Sequence, residues 1–328
     1  MTHVLITIDA ELSSSREIAG MPVEQNLAQQ YFGRVDTGGF GVTWLMDQMA
    51  RRDIKGVFFV DPMAGMVHGQ SLVDRMIAPI LANNHDVQIH IHTEWLNRAK
   101  DSPVSGRTGR NIGDFSLDDQ VSLIGWARDA LVRAGAPSPT AFRAGNFGAN
   151  DDTLRALARL GLQWDSSYNA DYAKGECRIG IAQDCIEPIA IGNVWEIPIA
   201  GLWDTPGHFR PAQVCAISSA EMRAALHHAA ATQAHSFVAV THSFEMLSRD
   251  RRRLNPIVMN RFKAMCDTVA RHPDLIPATF KNIVPPAFRA SRDALSRLGP
   301  SRVRTFARMA EQGFANLWFE RPFRSAWA

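Results

Sequence analysis

The chain has 328 residues, 46% of them hydrophobic, and a formal net charge of +2. That length suits one large α/β domain or two smaller ones, with enough apolar material for a sizeable core. The near-neutral balance gives no electrostatic case for a nucleic-acid partner, and no apolar run reaches the ~18 residues of a membrane span.

The first residues, MTHVLITIDAELSSS, lack a basic start, a long apolar stretch and a small-residue cleavage site. No signal peptide is expected, and a cytoplasmic location is. Cys177, Cys185, Cys215 and Cys266 are widely spaced with no CxxC pair, so free thiols are expected.

Short apolar runs that end in a polar residue recur along the chain. VLITID ends at Asp9 and is followed by helical spacing over 41–49. GVFFVD ends at Asp61, with a helical pattern over 72–81 behind it. DVQIHIH ends at His92 and precedes the clearest helical stretch, 117–134. TAFRAG carries Arg143 and leads to a helix over 152–160; LQWDSS carries Asp165; VWEIPIAG runs to about Gly201. A helix over 220–231 then leads to SFVAVTHS, which ends at His242. The runs are β-rich and bounded by turn residues, so they read as strands. Strand alternating with helix means parallel pairing, and about seven such units predict a distorted (β/α)7 barrel, with an open doubly wound sheet as the other architecture. Residues able to do chemistry fall at the C-terminal ends of at least five of the seven strands, where barrels place their catalytic groups.

Residues 287–328 differ. They read as helical with a break at Gly299-Pro300 and carry eight arginines against Asp293, Glu311 and Glu320, so 8 − 3 = +5. Val303, Phe306, Met309, Phe314 and Leu317 form an irregular apolar stripe. The expectation is a barrel of residues 1–286 capped by this segment, its arginines toward water. Peripheral contact with a membrane surface is the other role of a basic amphipathic helix.

The site begins with two histidines one residue apart. In DVQIHIHTEW, period-two alternation puts Gln88, His90 and His92 on one strand face, where both imidazoles can reach one metal ion. A half-exposed edge strand would explain the same pattern. Asp9 and Glu11, also two apart, can face one cavity, one as ligand and the other as proton acceptor; a strand-end pair bound to arginine is the plainer alternative. Arg143 can orient a neighbouring carboxylate through two hydrogen bonds, and Gly145 and Gly148 suit a tight loop beside it. Asp165 and His242 can form an acid pair in which the aspartate favours the protonated ring.

The order Asp9/Glu11, His90/His92, Arg143, Asp165-Ser166-Ser167, His242 resembles the five motifs of the polysaccharide deacetylases, the NodB-type family four carbohydrate esterases. VLITIDAE is similar to the first motif, NHDVQIHIHTEW to the second, FRAGNFGAN to the third, WDSSY to the fourth and AVTHS to the fifth. The resemblance covers about residues 4 to 245. Two departures mark a divergent branch: Ala10 separates the two carboxylates, and Glu94 stands where the family has its second histidine.

The resemblance implies a deacetylase barrel and a divalent cation, with Zn²⁺ expected, on Glu11, His90 and His92. It implies Asp9 as base, Arg143 tuning it, and His242 as acid supported by Asp165. The reverse assignment of Asp9 and Glu11 stays open, as does ligation by Glu94. Glu94, Trp95, Asn146, Tyr168 and Trp203 are expected to contact substrate. The reaction implied is hydrolysis of the N-acetyl group of an amino sugar in a surface polysaccharide or its precursor. The alternatives are another non-peptide C–N bond, such as a formamide, and a metal-free glycan-binding barrel.

Overall fold

In the computed structural model, residues 1–182, 184–286 and 296–320 are described. Besides a short strand, Leu275–Pro277, that pairs in parallel with the start of the first, seven strands run parallel: β1 (Thr2–Ala10), β2 (Val57–Val60), β3 (Asp86–Ile91), β4 (Ala141–Ala144), β5 (Trp164–Asp165), β6 (Val194–Glu196) and β7 (Ser236–His242). Their order around the sheet is β7-β1-β2-β3-β4-β5-β6. Each coincides with one of the apolar runs read from the sequence.

Of the seven described helices of nine residues or more, six precede the final one: α1 (Val42–Ala50), α2 (Gln70–Ala82), α3 (Leu117–Arg133), α4 (Asp151–Arg159), α5 (Ser219–Ala231) and α6 (Pro256–Arg271). Local chemistry sets their starts. Ser116, Asn150, Ser218 and Asn255 each accept a backbone N–H from the first turn, and Pro256 occupies the opening turn of α6.

Closure is where the barrel departs from regularity. The free edge of β6 pairs with an antiparallel strand, Ile189–Ile191, rather than with β7. The chain beyond β6 then reaches β7 itself: Ile199 bridges Val238, and the Ala200 N–H donates to the Val238 carbonyl at 3.1 Å. Val214 and Val240 add a further bond at 3.0 Å.

The period-two geometry of the strands divides the core in two. Leu5, Val57, Phe59, Ala141, Trp164, Val238 and Val240 pack together with Phe280 inside the barrel. Ile6, Ile8, Phe58, Val60 and Ile89 belong to the larger core, with Leu45, Met49, Ile77 and Leu123 of the helices. The strands are therefore buried on both faces, as β3 is at every residue. This excludes an edge-strand explanation for His90, since β3 lies between β2 and β4. The inward-facing series also predicts where chemistry emerges. Two residues at a time, Leu5 leads to Thr7, Asp9 and Glu11; Val57 and Phe59 lead to Asp61; Gln88 leads to His90 and His92; Val240 leads to His242.

The last described helix, α7 (Arg302–Ala315), continues into residues 316–320. It packs against a hairpin of Gly201–Thr205 and His208–Pro211, and against α5. Its orientation reverses the expected one. Arg308 is buried, donating to Asp204 Oδ2 at 2.8 Å and Glu221 Oε1 at 3.1 Å. Val303, Phe306, Met309, Phe314 and Leu317 face outward. Arginine fits here because two buried carboxylates, Asp204 and Glu221, wait for a planar multi-donor group. Arg289, Arg292, Arg321 and Arg324 lie outside the described residues. Among the described residues no helix is long and apolar enough to cross a membrane.

Candidate active site

The C-terminal ends of β1, β3, β4 and β7 bring together most of the expected residues. Glu11 sits between two imidazoles, its Oε2 2.7 Å from His92 Nε2 and 3.2 Å from His90 Nε2. One ligand atom from each of the three lies within 4.8 Å of the others. The two rings are nearly perpendicular, with centroids 5.0 Å apart.

The remaining ring nitrogens are already committed. His90 Nδ1 donates to the Arg143 carbonyl at 2.8 Å, which turns Nε2 toward Glu11. His92 Nδ1 meets Glu94 Oε2 at 3.2 Å. Outer partners that fix the tautomer and orientation of each imidazole are what a metal site requires. Glu94 accordingly stands behind His92, and its other oxygen accepts from Asn146 Nδ2 at 3.1 Å. Gly145 permits this packing: a Cβ there would lie 2.6 Å from the Ile91 carbonyl and 2.9 Å from the His92 ring.

The electrostatics agree with the donor set. Burial alone would raise the Glu11 carboxyl, but the charge on His92 and hydrogen bonds from His90 and His92 hold it well below its ordinary value. Burial opposes a charged His92, yet Glu11 beside it raises that ring well above its usual range. A cation would take the place of the His92 proton. Asp61, at the end of β2, completes the surroundings. Its Oδ1 accepts the Met63 N–H at 2.9 Å, while its buried Oδ2 has no partner. Burial pushes its carboxyl up to about 6, against the pull of His92 and His90. An orphaned carboxylate oxygen beside this cluster, together with two pre-oriented nitrogens, fits a divalent cation.

Asp9 is held apart from that set. Its Oδ1 accepts from Arg143 Nη1 at 2.7 Å, and its Oδ2 lies 3.9 Å from His242 Nε2. Arg143 is fully buried and spends its other donors on Thr7 Oγ1, the Ser166 carbonyl and Ser166 Oγ, with its guanidinium 4.2 Å from the Phe59 ring centroid. Such a fixed fork leaves Asp9 one orientation.

No family model matches the sequence, and no curated protein matches it. Solved structures match the fold. A protein of Mycobacterium smegmatis assigned to the polysaccharide deacetylases superposes with a TM-score of 0.54 over 89% of this chain and 94% of its own, at 16% identity. The chain has the polysaccharide deacetylase fold. A second structure described as a polysaccharide deacetylase, from Pseudomonas aeruginosa PAO1, gives a TM-score of 0.49 at 13% identity, covering 86% of this chain and 88% of its own. A 4-alpha-glucanotransferase from Thermococcus litoralis gives 0.46 at 7% identity, over 86% of this chain and 39% of its own.

Within this deacetylase fold several expected roles move. Asp165 does not pair with His242. It faces Glu196 across β5 and β6, and each carboxyl has one oxygen without a donor. Burial raises both, Glu196 well above its ordinary value with the Asp165 charge adding to the effect. A proton shared between them supplies the missing donor. Asp165 also accepts from Ser167 Oγ at 2.7 Å, which in turn accepts the Ala144 N–H, so it braces β4.

The partner of His242 is Glu245, three residues on, at 2.8 Å from Nδ1. Glu245 is fixed by Gln213 at 2.6 Å and Thr241 at 2.8 Å. Burial lowers the His242 pKa, but the Glu245 hydrogen bond and charge, with Glu11 and Asp9 beyond, raise it to about 9. The THSFE stretch contained this signal as a carboxylate one turn from the histidine.

Three expected substrate contacts are corrected. Trp95 is fully buried in the core, its indole 6.2 Å from the His68 ring. Tyr168 is also buried and donates to the Ala182 carbonyl at 3.2 Å. Trp203 lies on the hairpin beneath α7, beside Phe209 and Arg297, with no described bond to the cluster. Trp95 and Tyr168 are large aromatics whose burial satisfied the core first, whereas Trp203 is half-buried on the hairpin. Glu94 and Asn146 do border the cluster.

Proposed function

We propose that the protein is a metal-dependent deacetylase that hydrolyses the N-acetyl group of an amino sugar in a surface polysaccharide or its precursor. Residues 1–286 form the catalytic unit in this reading, and 287–328 an extension on it. The observation that supports it is the division of two carboxylates only two residues apart. Glu11 lies between His90 and His92, while Asp9 turns to Arg143 and His242.

Glu11, His90 and His92 would hold a divalent cation, for which Zn²⁺ suits two imidazoles and a carboxylate, and which when bound supplies Lewis acidity to the acyl carbonyl. Asp9, fixed at Oδ1 by Arg143, accepts a proton from the attacking water on Oδ2. His242 Nε2 donates a proton to the departing nitrogen as the C–N bond breaks, leaving acetate and a free amino sugar. Glu245 holds His242 Nδ1–H and keeps the ring charged for that donation. Glu94 and Asn146 border the rim where the sugar would enter.

The test is a panel of N-acetylated amino sugars, free, nucleotide-linked and lipid-linked, given to metal-replete protein. Acetate and primary amine should appear in equal amounts, stop on chelation and return with Zn²⁺. Failure of metal-replete protein to release acetate from any member contradicts the reading.

A further inference from the structure

The outward face of α7 and the turn that follows it is apolar without interruption. Val303, Phe306, Met309, Phe314, Leu317 and Trp318 are each more than half exposed, from 54% to 80%. Val303, Phe306, Phe314 and Leu317 share one side at helical spacing, while Arg308, Glu311 and Ala315 define the opposite, packed side. The inward face is thus ionic and the outward face apolar, the reverse of a helix built only to cover a barrel. Monomeric proteins rarely leave a contiguous patch of this kind open to water.

Charge identifies the occupant. Within α7 the acidic residue, Glu311, turns in to Arg261 at 2.9 Å. Exposed Arg302 lies at one end, and the segment 287–328 sums to +5. At the other end the Phe319 carbonyl accepts the N–H of Arg249, which with Arg252 is exposed on the loop after β7. A second copy of this chain would set these like charges against each other. An anionic lipid bilayer matches both the apolar face and its basic ends.

We propose that α7 and residues 316–320 dock on the surface of an anionic phospholipid bilayer, with Phe306, Phe314, Leu317 and Trp318 entering the acyl boundary. The same loop links this surface to the candidate site, since Arg251 lies over Phe244, whose ring stacks on His242. Docking stands on the helix face alone and is read without turnover, so it is separable from the deacetylase reading.

Co-sedimentation of the full chain with phosphatidylcholine vesicles, with and without one-third phosphatidylglycerol, tests it. Binding should favour the anionic vesicles about tenfold and fall with salt. A Phe306→Gln, Phe314→Gln, Leu317→Gln variant with unchanged circular dichroism should bind at least about tenfold more weakly. Arg302→Glu should weaken binding to anionic vesicles only. Brominated acyl chains should quench a fluorescence component that Trp318→Phe removes. The proposal is overturned if neither vesicle binds, or if both variants bind like the parent. It is equally overturned if the apolar variant only disperses a concentration-dependent dimer that shows no vesicle binding.

Discussion

His242 and Glu245 show how much one side-chain contact changes a proton's availability. With its pKa raised to about 9, the ring is protonated at neutral pH and able to donate. The sign follows directly: a raised imidazole pKa keeps the acid form below about 9 and removes it above. Turnover that depends on His242 as acid should therefore fall on the alkaline side, with about 9 as the ceiling. A cation on Glu11 removes part of the negative charge that raises the ring, so the metal-loaded limb lies at or below that value. Glu245→Gln retains shape but loses charge, and should move this limb down by about one pH unit. A pH–rate profile of the two proteins checks the shift; coincident alkaline limbs would remove Glu245 from this role. His242→Ala should lose about 10²–10⁴-fold in rate while keeping metal.

At this scale the sequence was half legible. Asp9, Glu11, His90, His92, Arg143 and His242 could be found because they end strands on the inward face. The acid partner could not, because whether Asp165 meets His242 or Glu196 depends on strand register and closure. Asp61 ends a strand in the same manner, yet its electrostatic interaction with His90 and His92 depends on β2 lying beside β1.

Among the elements, the seven strands were readable because each is an apolar run cut off by a polar residue. The helix α6 was not anticipated, although Val258, Phe262, Met265, Cys266 and Val269 are its buried stripe and Asn255-Pro256 its start. The tail helix shows the limit of pattern reading. An amphipathic sequence fixes two unlike faces but not which of them the protein buries; Asp204 and Glu221, nearly a hundred residues upstream, decide that. Arg308→Met should accordingly weaken the docking of α7. Asp204 keeps Arg210 and His208, and Glu221 keeps Ser218, so the loss should be near the lower end for a broken buried pair, about 3 kcal/mol. Hydrogen exchange across α7 should accelerate ahead of global unfolding. Unchanged exchange in α7 would mean that its packing does not depend on the Arg308 ion pairs.

For the whole molecule, the barrel turns short-range alternation into a shared rim. Residues separated by more than two hundred positions, such as Asp9 and His242, become register partners on neighbouring strands. The apolar interior beneath them, from Leu5 to Trp164, excludes water from below and holds Arg143 rigid. The central claim is that Glu11, His90 and His92 hold a cation while Asp9, two residues away, moves the proton. Metal content and acetate release measured on the same preparations of the parent, His92→Ala, Glu11→Gln and Asp9→Asn test it most directly. The expected result is stoichiometric divalent metal in the parent and in Asp9→Asn, turnover only in the parent, and weakened metal retention in His92→Ala and Glu11→Gln. Loss of metal from Asp9→Asn with retention in Glu11→Gln would reverse the two carboxylates. Full activity in His92→Ala with no metal bound would contradict the mechanism itself.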